Sequence, residues 1–264
     1  MRHAPGTLTV LALLLSLSSA ATAKDTPQEV QLWAYATTTG VVAPHWAVTL
    51  MPGLRWEVWD SEGEAGQATM VELFAGPSFV QKWGAVTLKI PLWYYYMGFP
   101  IRKPGPDDWF DSHNLELIPI VEYRLGRWTF TSRSILHNKV YARNTVFRSD
   151  AQRRGYSLLW RQLFQAAYTV AAGVDVVLAE ELFLGLVEDG ETNGLAKGEP
   201  FFEKHGLSMN RVYAGVSLTL PHGMSLSPQY VFETHHDPDH GTEVTKMRHY
   251  LLVTWSTTVQ LFSR

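Results

Sequence analysis

Three histidines and two aspartates fall within six positions of the stretch ETHHDPDHGTE, residues 233 to 243. His235, His236, Asp239 and His240 offer imidazole nitrogens and a carboxylate, the donor types that zinc accepts, so a metal site is the first chemistry this stretch suggests. Ser112-His113 in DSHN sets a nucleophile type beside a base type, as a hydrolase would need. Adjacency is not a triad, however, because the base must come within about 3 Å of the hydroxyl in space. The stretch also lacks the glycines of a nucleophile elbow. Glu180-Glu181 is a carboxylate pair whose members point to opposite faces if the segment is a strand. The segment LVEDGETNGLAKGEPFFEKHG, 186 to 206, has the composition of a calcium loop without its ligand spacing. No catalytic residue and no cofactor is assigned from these stretches, and each takes its meaning from the elements that carry it.

The N-terminus reads MRHAPGTLTVLALLLSLSSAATAKD, with a basic start, a short apolar run and small residues ending at Ala23. This is the pattern of a secretory signal peptide over 1 to 23 with cleavage near Ala23, leaving 24 to 264 as one domain. The absence of cysteine excludes a disulfide framework and thiolate metal sites. A net charge of -3 and a pI near 6.4 provide no basic face, so nucleic acid is not a partner. Hydrophobic residues make up 46%, with 10 Trp, 11 Tyr and 12 Phe, yet no run of 18 apolar residues follows the leader.

The hydrophobicity is instead distributed with a period of two. From Trp46 to Val58 the even positions are apolar, while the odd ones from Ala47 to Trp59 include Arg55 and Glu57. That phase runs through Pro52-Gly53, which predicts one long strand with a bulge or kink at Pro52 rather than a hairpin. Similar alternation recurs at 86 to 96, 115 to 124, 128 to 139, 156 to 165, 211 to 218 and 251 to 261. These runs exceed the roughly 5–6 residues usual in soluble sheets and reach the about 9–11 that a tilted strand needs to cross a hydrocarbon core.

Short turns near Lys82 to Gly84, Leu125 to Arg127, Gln165 to Thr169 and Pro221 to Gly223 alternate with long polar segments at 99 to 113, 142 to 154, 185 to 206 and 234 to 247. One short side and one long side is the signature of an outer-membrane barrel, and tryptophans and tyrosines near strand ends match its aromatic girdles. PLWYYYMGF belongs to such a girdle rather than to a sugar or base platform. We therefore predict an all-β fold, a transmembrane antiparallel up-and-down barrel of ten to twelve strands, twelve favoured. About eleven segments can be counted, and the even number of single-chain bacterial barrels asks for one more or one fewer.

The order QLW at 31 to 33, RWE at 55 to 57, VEYRL at 121 to 125, EELF at 180 to 183, NRVYAGVSLTL at 210 to 220 and SPQYVF at 227 to 232 resembles a bacterial outer-membrane barrel family of uncharacterised function. The resemblance covers most of the chain after the leader. It implies a fold and a location, outer-membrane lipid as surroundings and the barrel-assembly machinery as a partner during insertion, and no activity.

Strand parity turns Arg55, Glu57, Glu72, Lys89, Glu116, Glu122, Arg124, Arg133, His137, Lys139, Arg161, Asp175, Glu181, Arg211, Glu233 and Arg248 toward the lumen. Both signs occur in similar number, so these residues are expected to pair across strands and narrow the bore. A structural or interaction barrel is the reading this supports. A small-solute channel is the alternative, and a lipid-modifying hydrolase a third.

Overall fold

The computed structural model describes residues 26–61, 66–100, 109–144, 152–187, 205–236 and 244–261. The leader expected at 1 to 23 lies outside them. Twelve strand segments follow in order: β1 Gln28–Ala43, β2 Trp46–Asp60, β3 Gln67–Trp83, β4 Val86–Pro100, β5 Trp109–Leu117, β6 Ile120–Leu125, β7 Trp128–Asn144, β8 Gln152–Ala171, β9 Val174–Val187, β10 Gly206–Leu220, β11 Met224–His236 and β12 Val244–Gln260. They form one sheet that closes on itself.

Twelve segments make eleven staves. β5 and β6 lie end to end, since both pair with β4 on one side and with β7 on the other. The interruption falls at Ile118-Pro119, where proline has no N–H to give the ladder. The neighbours hold the stave in line: Ile118 N donates to Pro91 O at 2.9 Å and Ser134 N to Pro119 O at 3.0 Å.

Every junction but one is antiparallel. The exception closes the barrel, where β1 runs parallel to β12 from Gln28↔Met247 to Val41↔Gln260. An odd number of up-and-down staves forces this, because the first and last then point the same way. The segment 29 to 38 thus belongs to the wall, and an even count is not required for closure. As a result β1 starts at the long-connection rim and β12 finishes at the short-turn rim.

Local differences from the sequence expectation have identifiable causes. β2 is one strand through Pro52, with no register shift there; the cost of proline appears as missing pairs between Tyr35↔Gly53 and Thr38↔Leu50. The bulge comes later, between the pairs Val30↔Trp59 and Gln31↔Glu57, and it returns Trp59 to the exposed outer face. Gln165 to Thr169 is strand, not turn. β8 continues to Ala171, and the reversal occurs at Ala172-Gly173, where Gly173 takes the positive φ of 75° that a two-residue turn demands.

The faces of the wall separate cleanly. Val30, Leu32, Leu50, Leu54, Leu92, Leu115, Val121, Phe130, Phe164, Leu178 and Leu251 are exposed on the outside. Trp46, Trp83 and Trp128, each at a strand end beside a short turn, are exposed as well. Polar groups on this outer face are mutually satisfied: Ser134 Oγ donates to Gln162 Oε1 at 2.5 Å, Gln162 Nε2 to Ser132 Oγ at 3.0 Å, and Asn210 Nδ2 to Glu180 Oε1 at 3.0 Å. The buried charged residues, six glutamates among them, are inside.

Candidate functional site

The inner face is dominated by buried carboxylates. Glu57, Glu72, Glu116, Glu181 and Glu233 are each exposed by 1% or less. An isolated ionised carboxylate so placed would cost several kcal/mol of lost hydration, so its survival depends on counter-charges and donors in good geometry. The cross-strand register supplies them. Glu181↔Arg211, Arg211↔Glu233, Glu233↔Arg248 and Arg248↔Glu29 are direct partners on successive strands β9, β10, β11, β12 and β1. One row of the sheet therefore alternates in sign over five staves, the arrangement in which facing side chains attract rather than repel.

Contacts follow that row. Arg211 Nε donates to Glu233, and Arg211 Nη1 lies 3.8 Å from Glu181. Glu181 Oε1 also accepts from Arg133 Nη2 and Arg161 Nη2, both at 3.0 Å, while its Oε2 accepts from the Tyr213 hydroxyl at 2.6 Å. Glu233 takes the Tyr250 hydroxyl at 2.5 Å and Arg248 Nη1 at 3.3 Å. Arg248 Nε reaches Glu29 at 2.6 Å, and Lys246 Nζ donates to the same carboxylate. Glu116 sits at the other end of the network, 2.8 Å from His137 Nδ1.

A second centre joins β1, β2, β3 and β4. Arg55 forks onto Glu72 through Nε at 2.8 Å and Nη2 at 2.9 Å, the bidentate geometry that suits guanidinium to carboxylate. The hydroxyls of Tyr35 and Tyr95 donate to the same glutamate. Tyr35, Gly53 and Glu72 occupy one row of three adjacent strands. Because Gly53 has no side chain, the Tyr35 ring lies over it; a Cβ at that position would come within 2.4 Å of the ring.

Aromatic rings bind the two centres into a layer. Trp33 packs on Tyr250 with centroids 3.9 Å apart, and carries the Arg55 guanidinium at 3.8 Å and that of Arg211 at 4.9 Å. Arg211 therefore reaches from β10 past β11 and β12 to β1. Phe74 stacks on Tyr95 at 3.9 Å, and Phe183 lies beneath Arg161 and Arg211. Val231, Tyr250, Glu181 and Glu233 face the bore yet are exposed by 1% or less, so solvent reaches them from neither end. These four residues are sealed from solvent within the layer.

On the short-turn side of the layer lies a cavity of about 360 Å³. Its lining includes Phe74, Trp93, Ile118, Ile120, Ile135, Leu163 and Leu252 together with Arg55, Arg133, Arg161 and Arg211. Farther toward the turns, Lys89 and Glu122 meet at 2.7 Å with side chains 38% and 23% exposed, so water enters the bore from this rim.

The charged residues singled out by parity are distributed unequally. Arg55, Glu72, Glu116, Arg133, His137, Arg161, Glu181 and Arg211 meet in the layer; Glu57 is fully buried on β2; Lys89 and Glu122 pair below; Arg124 is exposed at the turn end of β6. Sequence reasoning passed over the aromatic half of the site. Trp33 and Tyr35 share parity with Gln31, and Trp93 and Tyr95 share parity with Lys89, so the same period-two signal places them inside; Tyr94 and Tyr96 are the outward pair, both against His113.

The other chemistry-bearing stretches separate in space. Ser112 is fully buried and accepts from Asn114 Nδ2 at 3.1 Å, whereas His113 takes the opposite face and bonds the Tyr94 hydroxyl at 2.6 Å. Glu181 is inside and Glu180 outside. His235 and His236 belong to β11 rather than to a loop, and Asp239 and His240 lie outside the described residues. His235 Nε2 is 2.5 Å from Glu233 and 2.9 Å from Arg248 Nη1, a guanidinium that would oppose a cation there. Among the described residues no group of three or more His, Asp or Glu is arranged to hold a metal.

No protein-family model, curated protein or solved structure matches the chain.

Proposed function

We propose that this chain is an integral β-barrel of the bacterial outer membrane, exported behind a leader cleaved near Ala23 and closed at its waist, with a structural or interaction duty. The observation that carries the reading is the inversion of the wall: aliphatic and aromatic side chains cover the outside, while carboxylates and guanidiniums are sealed inside. A soluble protein exposing so continuous an apolar surface would aggregate, whereas lipid favours that arrangement. Trp46, Trp83 and Trp128 at the short-turn rim suit the water–lipid boundary.

Fractionation and gel mobility test location and fold together. The protein is expected in the outer-membrane fraction and to migrate faster unboiled than boiled; recovery from the soluble periplasm with identical mobility would overturn the reading. Planar-bilayer recording tests closure, with no steady conductance expected. A narrow small-solute channel is the second reading, favoured by the water-accessible half of the bore below the layer. Steady unit currents from the unaltered protein would establish it instead.

A further inference from the structure

We propose that the cavity on the short-turn side of the ion-pair layer is a binding site for a small amphipathic anion, a carboxylate carried on an apolar body. At about 360 Å³ it stands at the lower end of the roughly 300–1,000 Å³ range of small-molecule pockets. Aliphatic side chains from Ile118, Ile120, Ile135, Leu163 and Leu252 form an apolar wall. The charged part of the lining holds four guanidiniums against two carboxylates, Glu72 and Glu116. Glu181 and Glu233 pair with Arg133, Arg161 and Arg211 from behind this lining, so the charge is close to balance and what the lining offers a ligand is chiefly N–H donors.

Two lining residues carry an N–H donor without an acceptor. Arg133 engages Glu181 through Nη2; its Nε is buried without an acceptor, and its side chain is 32% exposed. Trp93 Nε1, on β4, is likewise buried without an acceptor and lines the same cavity. A buried donor left unsatisfied costs about 1–3 kcal/mol, so a ligand oxygen that reaches either donor gains by pairing it. A carboxylate supplies them while its apolar body rests on the isoleucine and leucine wall. The solvated Lys89 and Glu122 mark the route in from the short-turn rim. This goes beyond the closed-barrel reading and does not depend on membrane location.

The test is titration calorimetry on the whole chain without its leader, refolded in nonionic detergent and checked for the heat-modifiable band. The probe is naphthoate, with naphthylmethanol and naphthylmethylamine as the uncharged and cationic counterparts. Saturable one-site binding of naphthoate is expected, at least about tenfold tighter than either counterpart, as a charge-assisted hydrogen bond implies. Arg133→Gln should weaken it about tenfold, and Trp93→Phe, which keeps the ring and removes only the donor, about threefold. Non-saturable heats, equal affinity for the alcohol, or unchanged affinity in the folded variants would overturn the proposal. Should Arg133→Gln fail to give the folded band, Trp93→Phe decides alone.

Discussion

Tyr35 reaches Glu72 across an intervening strand because the residue between them is Gly53. The three share one row of β1, β2 and β3, and the Tyr35 ring occupies the space of the missing side chain. Gly76 and Gly215 serve a different need, close approach of backbones: a Cβ would strike the backbone of Leu92 and Trp93 at the first and of Pro228 and Gln229 at the second. Glycine on the inner face lets a neighbour's large side chain lie flat over the wall and extend into the bore.

Gly53→Ala should destabilise the barrel by about 1–3 kcal/mol, the usual cost of overpacking. Its signature is non-additivity. In a Tyr35→Ala background the ring is gone, and the same substitution should cost less by about 0.5–3 kcal/mol, the range found between contacting residues. Urea midpoints of the four proteins in detergent form the cycle, and additive effects would show that the ring and the glycine are independent.

Glu181 holds the arginine side of the layer together. Removing its carboxylate by Glu181→Ala leaves Arg133, Arg161 and Arg211 facing one another around a buried position without its counter-charge. Breaking one side of a buried ion pair costs about 3–5 kcal/mol, so this variant should unfold at a much lower urea concentration than the parent. By contrast, Glu122→Ala removes a partly exposed partner of Lys89 and should cost about 0–1 kcal/mol.

The proposed closure of the bore rests on Trp33 and Tyr250. Trp33→Ala combined with Tyr250→Ala removes the two stacked rings and the surface on which Arg55 rests. Planar bilayers containing this variant should show steady ionic conductance where the parent shows none. A folded variant that stays silent would place the barrier elsewhere.

The parallel closure admits a direct chemical test, because the chain has no cysteine to interfere. Leu32 faces Leu251 and Thr38 faces Thr257, six residues farther along both strands in the same direction. Cysteine pairs at each of the two places should oxidise to a disulfide in the folded barrel, as neighbouring strands lie within the about 4.4–6.8 Å Cα separation that the bond tolerates. An antiparallel closure could satisfy one pair but not both.

Much of this architecture was legible in the chain because period two is a local property. Arg55, Glu72, Glu181 and Arg211 announce a charged inner face simply by alternating with Leu, Val and Phe, and the turn residues mark where strands reverse. The expectation that His235 and His236 lie in a polar loop drew on composition, which says nothing of strand ends. β11 extends over both histidines, and Glu233 and Arg248 take up His235.

What the sequence determined by itself is the β class, the two-faced strands and the side on which connections are long. The tertiary structure alone decided that eleven staves close through a parallel seam, that Glu29, Arg248, Glu233, Arg211 and Glu181 fall in one row, and that Tyr35 crosses Gly53. Alternation is written within each strand, but register and closure are properties of pairs of strands distant along the chain. Glu29 and Arg248 become partners only when the first and last strands meet.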